Sequence, residues 1–332
     1  MTVFLPAGWP AADHLIIPYA ASRSPALREP LGRLELPHLQ ALLHALTRVQ
    51  TDVDDEHQPS LNMPHERALA RALHWDAHAA CPWAALTPET NHKSDFIPDI
   101  ARTAPQAFFS PCHWQIGIGQ VVMLNPSSLN LSESESQALL AAMQPFFIED
   151  GLSVRYLAPT LWHVQGEMLR DLACASIDRV VGMDVNPWLP KTDAAKTLRR
   201  LQSEMQMLMY NHPVNDARSG QGQLTVNSFW VHGAGVLTQM PAAPAPHMTT
   251  ALREAALRED AQAWLKAWHE TDATLCADLR QRMGSRPVTL TLCSEHAAHT
   301  YQIQTASPPK QLWQRAQRLL QPVSVQTALQ AL

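Results

Sequence analysis

Hydrophobic and polar positions alternate in two registers along the chain, and the switches between them mark its elements. Short apolar runs bounded by polar residues predict buried strands over residues 14–20 (HLIIPYA), 226–231, 288–293 (VTLTLC) and 300–305. Residues 152–157 and 161–164 predict two strands joined at Pro159-Thr160 as a hairpin. The run QIGIGQVVML over 115–124 reads as one strand whose glycines mark a bulge or a close approach. Leu39, Leu42, Leu43 and Leu46 recur at helical spacing, which predicts a helix over 36–49. Pro64 and Glu66 open a second helix, running to Leu73. Ser132 and Glu135 form a capping box ahead of Leu139, Leu140 and Met143. Thr192 caps a helix with Leu198, Leu201, Met205 and Leu208 on one face. A long helix over 249–283 carries Trp264, Trp268, Leu275 and Leu279 on one side, with Asp272 near them. That stripe reads as packing rather than as a cofactor box. A final helix is expected over 309–320.

Strands alternating with helices make this an α/β protein. Residues 77–110 show little periodicity, and the texture changes at His113. The expected organisation is a core of residues 1–110 with 226–332, interrupted by a smaller α/β domain over 111–225. Residues 51–60 (TDVDDEHQPS) read as an exposed acidic connection, since the glycine and final glutamate of a calcium loop are missing. Residues 241–246 (PAAPAP) read as an extended linker.

Composition narrows the class. With 332 residues, 46% hydrophobic and 17% charged, the chain can bury a large core, and its length suggests two domains. A formal charge of −5 argues against a nucleic-acid partner. No apolar run approaches a membrane span, and the N-terminal stretch lacks a basic region and is broken by prolines. The five cysteines form no CxxC pair, so neither a zinc knuckle nor a disulfide framework is expected. A cytoplasmic protein without membrane contact is the expectation.

Candidate chemistry concentrates in residues 204–235, a helix cut at His212-Pro213, a glycine-rich loop, and a strand ending on Gly233-Ala234-Gly235. His212, Asn215, Arg218, Asn227 and His232 fall within this stretch. Arginine offers a fork that matches phosphate or carboxylate, and asparagine offers fixed donors. The stretch therefore reads as an anion-binding loop, or as a hydrogen-bonded loop that ties segments together. In the second case Arg218 pairs with a carboxylate such as Asp216 or Glu204, and the asparagines cap backbone.

The run His212-Pro213-Val214-Asn215, then Arg218, a glycine-rich spacer, Asn227 and the Gly-Ala-Gly resembles one segment of the archaeal-type cofactor-independent phosphoglycerate mutases. These belong to the alkaline phosphatase superfamily. Over most of its length the chain is similar to a proteobacterial family of RpfE-type regulatory proteins, often labelled phosphoglycerate mutases. The resemblance implies an alkaline-phosphatase-like mixed sheet core flanked by helices, with an inserted substrate-type α/β domain. It also locates the departures. The mutases follow their first strand with a metal-binding aspartate, where this chain has Pro18-Tyr19. Aligning His74-Trp75-Asp76 on the family's Gly-Tyr-Asp puts His65 at the phosphate-accepting serine and Glu66 at the aspartate beside it. Glu295 and His296 stand where an Asp-His pair ligates metal, and His232 stands where the mutases carry an arginine.

A two-metal phosphoryl transfer needs more ligands than Glu295 and His296. The expectation is a catalytically degraded mutase-like protein, without a cofactor, that binds a small phosphorylated or carboxylated metabolite and acts in regulation. One alternative is an active phosphotransferase rebuilt on His65, which can accept a phosphoryl group, with a divalent metal such as Mn or Zn on Glu295 and His296. The other is an interaction protein that meets a protein partner and no small ligand.

Overall fold

The computed structural model describes residues 11–76, 80–87, 104–192, 195–238, 240–241, 243–303 and 324–332. The chain divides into two compact units, one drawn from residues 8–77 and 241–332, the other mainly from 78–240. It is a mixed α/β protein in which a mixed sheet is flanked by helices. Among the described residues no helix is long and apolar enough to cross a membrane.

The first unit is built on a five-stranded sheet of order β2-β11-β10-β1-β9. Its strands are β1 (Ala11–Ile17), β2 (Thr47–Val53), β9 (Ala245–Met248), β10 (Thr289–Cys293) and β11 (Ala297–Gln302). β1 runs parallel to β9 and β10, whereas β11 is antiparallel to β10 and β2. Parallel strands need both faces covered. Leu15, Ile17, Leu290 and Leu292 enter one core with α1 (Pro25–Leu31) and α2 (Pro37–Ala45), joined by Trp264 and Trp268. Helix α3 (Pro64–Ala72) packs on β1, β9, β10 and β11.

The two tryptophans also act as polar bolts. Trp264 and Trp268 donate their indole N–H groups to the carbonyls of Tyr19 and Ala20, at 3.0 and 3.1 Å. Ala20 N–H donates to the Cys293 carbonyl at 2.7 Å, so the chain leaving β1 is fixed on both sides. The stripe is packing, as its spacing implied. Asp272 lies at the start of a π-helical turn, Asp272–Cys276, and its carboxylate accepts from the amides of His38 and Leu39, at 3.2 and 2.7 Å. A carboxylate there satisfies orphan amides at the start of α2 and complements its dipole.

The second unit is built on an antiparallel sheet of order β6-β7-β3-β8. Its strands are β3 (Gln106–Cys112), β6 (Ser153–Ala158), β7 (Leu161–Gln165) and β8 (Ser228–Gly235). One face packs Ala107, Phe109, Trp162, Val164, Phe229 and Val231 into a second core. Helices α4 (Glu133–Glu149) and α5 (Ala195–Tyr210) contribute Phe147, Met205 and Met209 to it. Phe109 stacks on Phe229 at 4.6 Å between centroids, and Phe147 meets both edge-on. The hairpin β6–β7 and the Ser132–Glu135 capping box are present as read from the sequence.

Several expectations are corrected. The strand leaving the glycine-rich loop does not return to the sheet of β1 and β10. β8 pairs with β3 in the second sheet, and the units part near residues 77 and 240 rather than at 110 and 226. The physical reason is that β8 satisfies the free side of β3 as its antiparallel neighbour at the edge of that sheet. The single strand expected over 115–124 is a hairpin of β4 (Trp114–Gly117) and β5 (Gln120–Met123), turned at Gly119, whose φ of 76° suits glycine. The helix expected over 36–49 ends at Ala45 and the chain becomes β2, so part of the expected acidic connection is strand. The helix expected over 249–283 breaks before Ala261, at Glu259 with φ 54°. Part of the proline-rich linker is β9, at a sheet edge that tolerates proline. The final helix expected over 309–320 lies outside the described residues.

Replacing Asp272 with alanine leaves the first turn of α2 without its acceptor. We expect a loss of about 1–2 kcal/mol in the urea unfolding of this unit, with faster amide exchange at His38 and Leu39. An unchanged midpoint and unchanged exchange would refute the capping role.

Candidate functional site

The sequence candidates fall in both units. The five loop residues lie in the second unit, and His65, Glu295 and His296 in the first.

His212 caps helix α6 (Pro213–Gly220) by accepting the Val214 N–H on its Nδ1 at 3.2 Å. Pro213 follows at the first helical position, where its missing N–H costs nothing. Helix α6 then carries Asn215 and Arg218 on its buried side. Asn215 donates to the carbonyls of Met209 and Val226 at 2.9 and 2.7 Å, and accepts from the Val226 N–H at 2.9 Å. Arg218 is 1% exposed. It donates to Glu135 at 2.9 Å, to the Leu224 carbonyl at 2.7 Å, and to the Leu129 carbonyl. Asn227 pairs both ways with the Trp114 backbone, accepting at 2.7 Å and donating at 3.0 Å. It extends the β8 edge by one amide, as another residue of strand would.

The loop is thus a clasp. Its donors converge on protein carbonyls and one carboxylate, and the anion that fills the arginine fork is Glu135. The sequence had pointed to Asp216 or Glu204 for that partner. The same Glu135 closes the capping box, accepting from the Ser132 N–H at 2.8 Å. Desolvation works to raise its carboxyl, but hydrogen bonds from Ser132 and Arg218 outweigh this and hold it below the ordinary range.

His232 lies on the opposite face of the second sheet, with Nε2 at 3.0 Å from Ser110 Oγ. Strand pairing sets it in a row with Phe108, His163 and Arg155 across β8, β3, β7 and β6. Its ring lies 5.4 Å from that of Phe108. The sequence marked His232 for the anion loop, and the structure puts it on another face from Asn215 and Arg218.

In the first unit His65 opens α3 and is 2% exposed. Glu66 accepts the Met63 N–H at 2.9 Å as a capping residue. Pro18 follows β1, and next to it stands Tyr19, also 2% exposed, with φ 57° and its ring 5.8 Å from that of His65. Positive φ at a bulky residue is uncommon and strained, and the tryptophan bolts on Tyr19 and Ala20 hold it there. Glu295 and His296 are half-buried in the turn between β10 and β11. Ser294 Oγ accepts the His296 N–H at 3.2 Å, and the Asp54 N–H donates to the His296 carbonyl at 2.8 Å. Among the described residues no three His, Cys, Asp or Glu side chains come together to hold a metal ion. A carboxylate and an imidazole on adjacent residues supply two donors, short of a closed tetrahedral set.

Sequence reasoning missed a second buried guanidinium. Arg67 on α3 grips Asp52 through Nε and Nη2 at 2.9 and 3.0 Å, and Asp54 through Nη1 at 2.6 Å. Arg71 adds a contact to Asp52 at 2.6 Å. Burial works to raise the Asp52 carboxyl, yet the two arginines outweigh it and hold it down. The available signal was an arginine on the same helical face as Met63 and Ala70, opposite an acidic segment read as solvated.

A cleft of about 460 Å³ opens in the second unit, lined by Pro82, Arg170, Asp171, Gly235, Val236 and Thr238 among others. Arg170 grips Glu167 beside it, with Nη2 at 2.9 Å, and both side chains are exposed.

No family model matches this chain, and no curated protein matches it. Among solved structures it is similar to the cofactor-independent phosphoglycerate mutase of Thermoplasma acidophilum DSM 1728, at 11% identity and a TM-score of 0.34, over 90% of this chain and 91% of that one. It is also similar to the PH0037 protein of Pyrococcus horikoshii, at 11% identity and a TM-score of 0.48, over 89% of this chain and 87% of that one. At these values the likeness assigns no residue or activity to this chain.

Arg218→Ala should destabilise the unliganded protein by about 1–3 kcal/mol, because Glu135 and two carbonyls lose their donor. Denaturant unfolding of the free variant measures this. A midpoint unchanged within error would show that the clasp is not structural and return Arg218 to the role of ligand donor.

Proposed function

We propose that this chain is a phosphoglycerate-mutase-like protein of the RpfE-type regulatory kind that performs no phosphoryl transfer and acts by binding. One observation carries the reading. Where the resemblance calls for a metal-binding aspartate and a nucleophilic serine, the chain carries Pro18-Tyr19 just past β1 and His65 at the start of α3, with the rings of Tyr19 and His65 side by side and buried. An aromatic ring locked at that point takes up space rather than coordinating a cation, and a histidine 2% exposed offers no path to an incoming phosphoryl group.

The anionic metabolite in this reading does not belong to Arg218, whose fork is filled. We assign it to the cleft of the second unit, with Arg170 as its anchor. The Arg170–Glu167 pair is solvent-exposed, so exchanging one carboxylate partner for another costs little. Arginine retains its charge at any working pH and can present two parallel donors to a phosphate or carboxylate. The reading includes a cytoplasmic location, supported by five cysteines that are all buried and unbridged.

Two measurements test it. A coupled mutase assay on purified protein with added manganese should show no turnover. Activity that survives purification and vanishes in His65→Ala would overturn the non-catalytic reading. A melting-temperature series with 3-phosphoglycerate and related three-carbon acids should stabilise the protein, and Arg170→Ala should abolish that shift while leaving the unliganded melting temperature unchanged. Stabilisation that persists in Arg170→Ala, or none in the wild type, would sink the cleft assignment.

A further inference from the structure

We infer that residues 80–87 form an acid-sensitive latch over the sheet β6-β7-β3-β8, and that protonation of His163 releases it. The strap is the first described stretch of its unit after the chain passes from the other one. Its centre is a 3₁₀ turn, Trp83–Leu86, wholly buried on the sheet face that carries Phe108, Ser110 and His232. It lies against β8 at two glycines. A Cβ on Gly233 would meet the Trp83 Cβ at 3.2 Å and the Ala84 N at 3.3 Å, and one on Gly235 would meet the Pro82 Cβ at 3.1 Å.

The side-chain anchor comes from β7. His163 Nε2 lies 3.2 Å from the Ala84 carbonyl and 2.8 Å from Gln106 Oε1. A carbonyl only accepts, so Nε2 carries the hydrogen and a further proton must go to Nδ1. The ring then becomes a cation in a place built for a neutral donor. Arg155 of β6 pairs with His163 across the sheet and supplies a like charge. β3 offers Gln106, Phe108 and Ser110, which are neutral, and β8 offers His232. The strap's one titratable group is the Cys81 thiol, uncharged in acid.

Burial, reinforced by Arg155 and opposed by the bond to Ala84, lowers the His163 pKa to about 4 from 6.5. Lifting the strap exposes the imidazole and restores its ordinary value. The ratio of closed to open strap is therefore constant above pH 6.5 and falls by up to tenfold per unit below it. Levelling near pH 4, the full span is about 300-fold. Ala80 and Pro82 also wall the cleft described above, so release of the strap unroofs it from one side. This inference stands whatever the cleft binds.

Amide exchange in the full-length chain, corrected for the intrinsic pH dependence, tests it between pH 7.5 and 4.5. In the wild type, the amides of Trp83, Ala85 and Thr87 should lose protection as pH falls through 6.5, while those of β3 keep theirs. His163→Gln should make strap protection independent of pH, and Arg155→Gln should narrow the acid response. Gly233→Ala should loosen the strap equally at all pH values, which separates latching from packing. An acid response that survives in His163→Gln would overturn the inference. So would a wild-type strap protected down to pH 4.5, or one that opens only together with β3. If His163→Gln fails to fold, the Arg155→Gln profile decides, and one identical to the wild type refutes the latch.

Discussion

A guanidinium cannot leave water unless its N–H groups are filled, and each unit is organised around one that has. Arg218 is buried because Glu135, Leu224 and Leu129 supply acceptors from three separate stretches of chain. Arg67 is buried because Asp52, Asp54 and Asn62 do the same from two. Removing one partner would strand the rest, a penalty larger than the pair's net contribution, so each arginine fixes its surroundings more than it stabilises them. The glycine-rich loop after α6 and the acidic strand β2 have little apolar surface of their own to order them. Their shape follows from the charge they enclose.

That constraint decides how the functional candidates are read. A fork closed on three protein acceptors cannot also hold a ligand without giving up those bonds, two of which go to backbone carbonyls. The stretch from His212 to Asn227 thus serves as architecture, with Asn215 joining the end of α5 to the approach to β8, and Asn227 extending that strand's edge. At the end of β1 the logic runs the other way. A metal site needs charged ligands around an open position, whereas the chain there has an aromatic pair and two indole bolts. Such groups set geometry without supplying charge. Arg170 differs from both, since it lines a cleft and its pair with Glu167 is in solvent.

Much of the fold was legible where period and boundary chemistry agreed. The Ser132–Glu135 box, the hairpin of β6 and β7, and β10 each combine a clear period with an explicit start or turn. The assignment of β8 was not legible, because FWV followed by His-Gly-Ala-Gly fits a parallel core strand and a buried antiparallel edge strand equally well. Only the pairing of Phe109 with Val231, and of Phe108 with His232, decides it, and pairing over more than a hundred residues leaves no local trace. At the site, Arg218 is buried and bonded within the protein. Its partner lay 83 positions away in a glutamate already accounted for as a helix cap. Local charge at Asp216 and Glu204 was the natural guess. The partner came instead from tertiary structure, since α4 and α6 pack together.

The histidines complete this picture. His14 shares a hydrogen bond with Thr291 at 2.9 Å, and Thr291 with Thr300 at 3.0 Å, a polar thread across three strands of the first sheet. Burial lowers the His14 pKa to about 4, as it does for His163. In both sheets a neutral imidazole therefore does what a cation would do elsewhere, reaching an acceptor without demanding a counter-charge. His232, where the resemblance calls for an arginine, is likewise engaged with a hydroxyl. Hydroxyls and carbonyls, which accept without carrying charge, are what these buried rings meet, so both sheets hold polar groups in their interior without an ion pair at those points.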